Sequence, residues 1–144
     1  MKRIFTLLVF AASISLAFSC NSSATQSQAE DNEIQEGLIS KNVSALEFQQ
    51  LINDNNEAII LDVRAPNELE QGVIGKVKHI DFYNDNFKEE LGKLDRSKPV
   101  LIYCHSGGRS AIAMSHLHEL GFSEVYNLQG GITEWSEAGL EIVK

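Results

Sequence analysis

The stretch Pro99-Val100-Leu101-Ile102-Tyr103-Cys104-His105-Ser106-Gly107-Gly108-Arg109-Ser110 places a thiol between an apolar segment and a segment with a helical pattern. The apolar run at 100–103 is typical of a buried strand, and residues 110–120 are typical of a helix. A glycine-bearing loop that enters a helix points unpaired backbone N–H groups inward, and the helix dipole adds to their attraction for anions. The sequence therefore predicts an anion-binding loop with Cys104 at its mouth.

Cys104 is the candidate nucleophile. Cysteines at helix N-termini or beside Arg or His have pKa values lowered from about 8.5 into roughly 3.5–7.5, so that the thiolate is available near neutral pH. The alternative is a buried structural cysteine at a strand end, which is a common place for this residue type. The glycines and the arginine that follow favour the nucleophile.

The rest of the loop supplies the predicted substrate-binding surface. Its members are His105, Ser106, Gly107, Gly108, Arg109 and Ser110. Glycines permit positive φ angles and a close approach of a ligand, so the backbone N–H groups matter more than the side chains. For His105 the alternative is an exposed loop residue without a chemical task. Ser110 is expected to cap the helix, to donate to the sulfur, or both.

Arg109 stands at the predicted helix start, where its positive charge opposes the dipole. Either it lines the loop and steadies a bound anion, or it pairs with a nearby carboxylate such as Asp62. In both cases we expect a negative group beside it.

Length and composition indicate one compact domain with appended segments. The chain has 144 residues, of which 43% are apolar, and its 12 basic and 20 acidic residues give a net charge of -8. Single domains commonly have about 100–150 residues. The basic residues form no cluster, which argues against nucleic acid as a partner.

The N-terminus has the pattern of a secretory signal over residues 1–19. Lys2 and Arg3 precede an apolar run at 4–18, which is shorter than the roughly 20 residues that a membrane-spanning helix needs. Residues 20–37 are mostly polar and are expected to form a flexible tether before a domain at 38–144. The expected location is therefore outside the cytoplasm.

The run Leu16-Ala17-Phe18-Ser19-Cys20 resembles the lipobox of bacterial lipoproteins. The resemblance implies lipid attachment at Cys20, a membrane anchor, and a place in the periplasm or cell envelope. The alternative is an ordinary secreted protein with an unrelated cysteine. Without lipidation, a disulfide between Cys20 and Cys104 also stays open.

From residue 44 onward, helical and strand patterns alternate. A capping box at Ser44 begins a helix at 44–52, and the later elements are a strand at 58–63, a helix at 86–94, the strand at 100–103, the helix after the loop, and a strand at 125–128. Such alternation predicts an α/β fold, with a mostly parallel central sheet flanked by helices. Cys104 follows a strand directly, at the sheet edge where ligands bind.

The region 38–143 resembles the rhodanese-like sulfurtransferases, and three separate segments carry the resemblance. The first is the cysteine loop, and the second is Leu61-Asp62-Val63-Arg64 with Glu68 and Gly72-Val73-Ile74. The third matches the C-terminal signature of the family with Gly121, Phe122, Val125, Leu128, Gly130, Gly131, Trp135, Ala138, Gly139 and Leu140. The family usually has His at position 73 and Gly-Ala at 76–77, where this chain has Val73, Lys76 and Val77.

The resemblance implies a three-layer rhodanese-like fold and sulfur transfer through a persulfide on Cys104. The donor would be a small anionic sulfane compound such as thiosulfate, and the acceptor a thiol, a cyanide-like nucleophile or a protein. No metal and no organic cofactor are implied. A sulfur-relay or binding module without turnover is the alternative of a different class.

Loop length separates this function from a related one. Phosphatases and arsenate reductases with a similar loop carry one residue more between the cysteine and the arginine, whereas four residues lie between Cys104 and Arg109. In this superfamily the shorter loop accompanies sulfur transfer.

Asp62 and Arg64 end a predicted strand and are expected at the same sheet edge. Asp62 is interpreted as part of a structural ion pair, and Arg64 as a further substrate-binding residue that meets anionic donors. Trp135 is expected in the core.

Overall fold

The structure is a computed structural model that describes residues 37–144. The predicted signal segment, the predicted lipid attachment at Cys20, and the predicted tether up to residue 36 lie outside the described residues.

Strands and helices alternate along the described chain. The strands are β1 (Ile39–Val43), β2 (Ile59–Asp62), β3 (Lys78–His79), β4 (Val100–Tyr103) and β5 (Glu124–Leu128). The helices are α1 (Ala45–Asp54), α2 (Phe87–Gly92), α3 (Gly108–Glu119) and α4 (Gly131–Glu137), and a 3₁₀ helix spans Pro66–Gln71. The capping box that the sequence predicts at Ser44 is present, with the Ser44 side chain and Glu47 closing it.

The strands form one parallel sheet in the order β1-β5-β4-β2-β3. The predicted α/β fold with a parallel sheet is therefore confirmed. Because all strands run the same way, their carboxyl ends lie at one edge. β4 is the central strand, so that the residue after it, Cys104, lies at the middle of that edge.

The core has two parts, one on each face of the sheet. On one face, Ile102 and Cys104 pack with side chains of α2 and α3. On the other, Leu101 and Tyr103 pack with side chains of α1 and α4, among them Trp135, as expected. All of β4 is buried, and this explains its unbroken apolar sequence.

Several local features differ from the sequence-based expectations, and β3, the 3₁₀ helix and α4 have no predicted counterpart. β1 was not predicted, because only Val43 of its five residues is buried and the strand has no apolar run. α3 begins at Gly108, two residues before the predicted start. Its N-cap is Gly107, so Ser110 is not the cap that it was expected to be.

Among residues 37–144, none of the helices has the length and apolar character needed to span a membrane.

Candidate active site at the Cys104 loop

Cys104 lies between the end of β4 and the start of α3, and only three residues separate it from that helix. The turn is tight enough to bring the N-terminus of α3 against the thiol. Cys104 itself is 1% exposed. Its neighbours His105 and Ser106 are exposed, and they form the outer surface of the loop.

Two hydrogen bonds reach the sulfur. The backbone N–H of Gly107 donates to Cys104 Sγ at 3.1 Å, and the Ser110 hydroxyl lies 3.4 Å from it. Burial raises the pKa of the thiol, but hydrogen bonds from the Ser110 side chain and from backbone N–H groups of the loop outweigh burial, so that the net pKa is lowered. The loop therefore favours the thiolate, as the sequence indicates.

Gly107 is required by the geometry of the turn. Its φ of 87° lies in the left-handed region, and a Cβ at this position would collide with the backbone carbonyl oxygen of Gln129. Gln129 follows β5 directly, so the loop is fitted against the end of the neighbouring strand. A side chain at residue 107 would push the N–H donor away from the sulfur.

The N-terminus of α4 holds the loop from the other side. The N–H of Ile132 donates to Cys104 O at 2.9 Å, and Thr133 donates to His105 O from its N–H at 3.2 Å and from its hydroxyl at 2.9 Å. Gly131 allows this approach, because its φ is 62° and a Cβ there would collide with the carbonyl oxygens of Cys104 and His105. Two of the predicted signature segments therefore meet in one site.

Arg109 is paired with Glu68 rather than with Asp62. Its two terminal nitrogens lie 2.6 Å and 2.8 Å from the Glu68 carboxylate oxygens, and the exposed Tyr83 ring covers the guanidinium at 5.6 Å. The Arg109 hydrogen bonds lower the pKa of Glu68 to about 2, and the same pair raises the pKa of Arg109. The expected negative group at the helix start is therefore Glu68.

Arg64 forms a buried structural ion pair. It is fully buried, its guanidinium is paired with Asp62 at 2.7 Å, and it also donates to the carbonyl oxygens of Glu68 and Gly72. Asp62 is thus in the expected ion pair. Protein acceptors occupy most of the Arg64 guanidinium, and Arg64 also lines a groove beside His105, so its contact with incoming anions stays a prediction. Its bond to the Glu68 carbonyl ties the segment of Glu68 to the sheet.

The remaining predicted residues lie at the mouth of the loop. Gly108 is exposed at the first turn of α3. His105 Nδ1 is 4.0 Å from a Glu68 carboxylate oxygen, at the limit of an ion pair. Beside His105 is a groove of about 300 Å³ with Thr133 and Ser136 on its wall. The groove beside the loop is large enough to hold a small molecule.

Sequence reasoning did not assign three residues of this site. The sequence marks Glu68 only as part of a family signature, and its partner Arg109 is 41 residues away in sequence. Gly131 approaches the loop through backbone atoms, and Thr133 donates to the His105 carbonyl from its N–H and its hydroxyl, a contact between segments that are distant in sequence. The available signal was the glycine pair at 130–131 before a helix. Within residues 37–144, no three His, Cys, Asp or Glu side chains are grouped to hold a metal ion.

Comparisons with known proteins identify a family for this chain. The model of the rhodanese-like domain matches residues 44–138. A protein of Coxiella burnetii named thiosulfate sulfurtransferase GlpE is 36% identical over 98 residues, which cover 68% of this chain and 89% of that protein. A sulfurtransferase of Allochromatium vinosum is 32% identical over 96 residues, covering 67% of this chain and 88% of that protein.

Solved structures agree with the fold. A rhodanese-related protein of Thermoplasma volcanium superposes with a TM-score of 0.64 and 32% identity, covering 72% of this chain and 98% of that one. A polysulfide-sulfur transferase of Wolinella succinogenes superposes with a TM-score of 0.60 and 33% identity, covering 71% of this chain and 77% of that one. With the parallel sheet, the cysteine loop and these matches together, the chain belongs to the rhodanese-like domain family.

Proposed function

We propose that this chain is a sulfurtransferase that carries sulfane sulfur as a persulfide on Cys104. The thiolate attacks the outer sulfur of a donor such as thiosulfate, a new S–S bond forms, and the S–S bond of the donor breaks. Sulfite leaves with the bonding electron pair. An acceptor such as cyanide or a thiolate then attacks the outer sulfur of the persulfide and regenerates the Cys104 thiolate, so no external oxidant or reductant is consumed.

The observation that carries the proposal is the pair of donors at Cys104 Sγ, the Gly107 N–H and the Ser110 hydroxyl. Attack on a divalent sulfur depends on the thiolate fraction of the attacking group and on the stability of the leaving anion. Fixed donors stabilise the thiolate before attack and again when it departs from the persulfide. The same groups therefore serve both halves of the cycle.

Donor recognition is the second support. The loop is at the N-terminus of α3, where N–H groups and the dipole attract an anion. Four residues between Cys104 and Arg109 suit a small sulfane compound, as the resemblance implies. Relatives named thiosulfate sulfurtransferase and polysulfide-sulfur transferase point to donors of this class.

Formation of thiocyanate from thiosulfate and cyanide tests the proposal. Wild type is expected to turn over, and Cys104→Ser to be inactive with an unchanged melting temperature. A matched control is Ser123→Ala, which alters an exposed serine after α3 and should keep full activity. No turnover with thiosulfate, polysulfide or a small persulfide would contradict the enzyme and favour a relay module.

Export and lipid anchoring at Cys20 are part of the proposal and rest on the sequence alone. Expression in a bacterial host is expected to give a membrane-bound, lipid-modified protein that begins at Cys20. Cys20→Ala should abolish the modification. A full-length, unmodified chain in the cytoplasm would contradict this part.

A further inference from the structure

The Ser110 hydroxyl has one proton and two possible acceptors. Its oxygen is 3.4 Å from Cys104 Sγ and 3.1 Å from the carbonyl oxygen of Gly107. A hydroxyl donates one hydrogen bond at a time. The sulfur therefore receives this bond only when the carbonyl does not take it.

The Gly107 carbonyl oxygen already has other donors. The N–H of Ala111 reaches it at 3.0 Å, within the first turn of α3, and the side-chain amide of Asn127 reaches it at 3.4 Å. A carbonyl oxygen has two lone pairs, and the amide and the N–H together fill both. The Asn127 amide therefore competes with Ser110 for this oxygen.

Asn127 is held in the orientation that this competition needs. It is 2% exposed on β5, and its amide nitrogen also donates to the Asn42 side-chain oxygen on β1 at 2.8 Å. Its own Oδ1 is buried and has no hydrogen-bond partner among residues 37–144. A flipped amide would set its oxygen against the backbone oxygen of Gly107, which can only accept, so the nitrogen faces that oxygen.

We propose that Asn127 is a positioning residue that directs the Ser110 proton to Cys104 Sγ by filling the second acceptor site of the Gly107 carbonyl. The inference rests on the proposed role of Cys104 as the nucleophile. Asn127 does not touch the sulfur, and its effect passes through Ser110. The charged and titratable groups at the loop are Arg109, Glu68 and His105, and Asn127 hydrogen-bonds to none of them.

The test is the thiolate absorbance at 240 nm as a function of pH. It is measured on the full chain with Cys20→Ser, in which Cys104 is the sole thiol, and the scan of a further Cys104→Ser variant is subtracted. Asn127→Leu is expected to move the midpoint to higher pH. Below both midpoints, the thiolate fraction should fall about tenfold, the size of one hydrogen bond to a charged group.

A double-mutant cycle separates this role from a general structural one. In a Ser110→Ala background, Asn127→Leu should leave the midpoint where Ser110→Ala alone puts it. Glu124→Gln is the control, because it alters the hydrogen bond between Glu124 and Tyr126 at the opposite end of the same strand and should not move the midpoint.

An unchanged midpoint in Asn127→Leu, or an equal shift with and without Ser110, would overturn the inference. Thermal unfolding confirms that each variant is folded, and Asn127→Ser replaces Asn127→Leu in the same cycle if the larger side chain does not fold. The readout is ionisation and not sulfur transfer. A failed cycle in a protein that forms a persulfide therefore refutes only this inference, whereas a missing persulfide with an intact cycle refutes the proposed function.

Discussion

At the scale of single residues, Gly107 and Gly108 are neighbours with different requirements. Gly107 has a φ of 87° and a backbone oxygen where a Cβ would be, whereas Gly108 has ordinary helical geometry and open space within 4 Å. Gly107→Ala should lower the free energy of unfolding by at least about 2 kcal/mol, because it adds left-handed strain and a backbone collision. Gly108→Ala should leave stability unchanged or raise it by up to about 1 kcal/mol. Urea unfolding of the two variants measures this, and equal losses would contradict the assigned loop geometry.

The Glu68 carboxylate should make stability depend on acid pH. Its pKa in the folded protein is about 2, below the usual 4.5, so its contribution is complete above about pH 4.5 and is lost as the pH falls towards 2. Glu68→Gln should cost about 1–3 kcal/mol at pH 7, since Arg109 loses a charged, bidentate partner. The difference from wild type should shrink between pH 4.5 and 2.

Urea unfolding at pH 7, 5 and 3 checks this prediction. Glu57→Gln is the control, because the Glu57 to Lys98 pair lies at the surface and surface pairs contribute little. A difference between Glu68→Gln and wild type that stays constant across these pH values would contradict the paired geometry.

At the scale of elements, the site depends on α4 as much as on α3. The first turn of α4 donates to the carbonyl oxygens of Cys104 and His105, and Gly131 makes room for that contact. Gly131→Ala should slow sulfur loading about tenfold to a hundredfold, because displaced catalytic groups are costly even when no reacting atom is removed. Gly139→Ala is the matched control: its φ of 71° carries similar strain, but a Cβ there meets nothing within 4 Å. Single-turnover loading rates of the two folded variants decide the matter, and equal slowing would refute a specific role of α4.

The sequence predicts an element well when neighbouring residues specify it, and poorly when the element depends on contacts with distant parts of the chain. The strand at 100–103 is a continuous apolar run, the strand at 59–62 is apolar up to Asp62, and α1 has its capping box, so each is predictable from neighbouring residues. β1 gains its strand conformation by pairing with β5, far away in sequence, and only one of its residues is buried. Its identity as a strand is a tertiary effect.

The features of the site also fall into those that neighbouring residues specify and those that depend on tertiary contacts. Cys104 and the glycines of its loop form one short motif, and the motif alone predicts a nucleophile at an anion-binding turn. The pairing of Arg109 with Glu68 instead of Asp62 depends on Arg64, which already occupies Asp62. The competition for carboxylates is visible only once the chain is folded.

At the scale of the whole molecule, α1 and α4 pack together on one face of the sheet through aromatic side chains of the core. Phe48 is fully buried and contacts the rings of Tyr103 and Trp135 edge to face, at 6.4 Å and 6.2 Å between centroids. Phe48→Ala should cost about 3–5 kcal/mol in unfolding free energy. Leu46→Ala, on the exposed side of the same helix, should change it by less than about 0.5 kcal/mol. Calorimetry gives both values, and a small loss at Phe48 would contradict its central place in the core.

The most direct test of the central claim is the intact mass of the chain carrying Cys20→Ser, before and after thiosulfate. Cys104→Ser serves as the control. The proposed function predicts one added sulfur on the protein with Cys104, removed again by cyanide, and no gain on the control. An unchanged mass with every sulfane donor, or the same gain without Cys104, would contradict it.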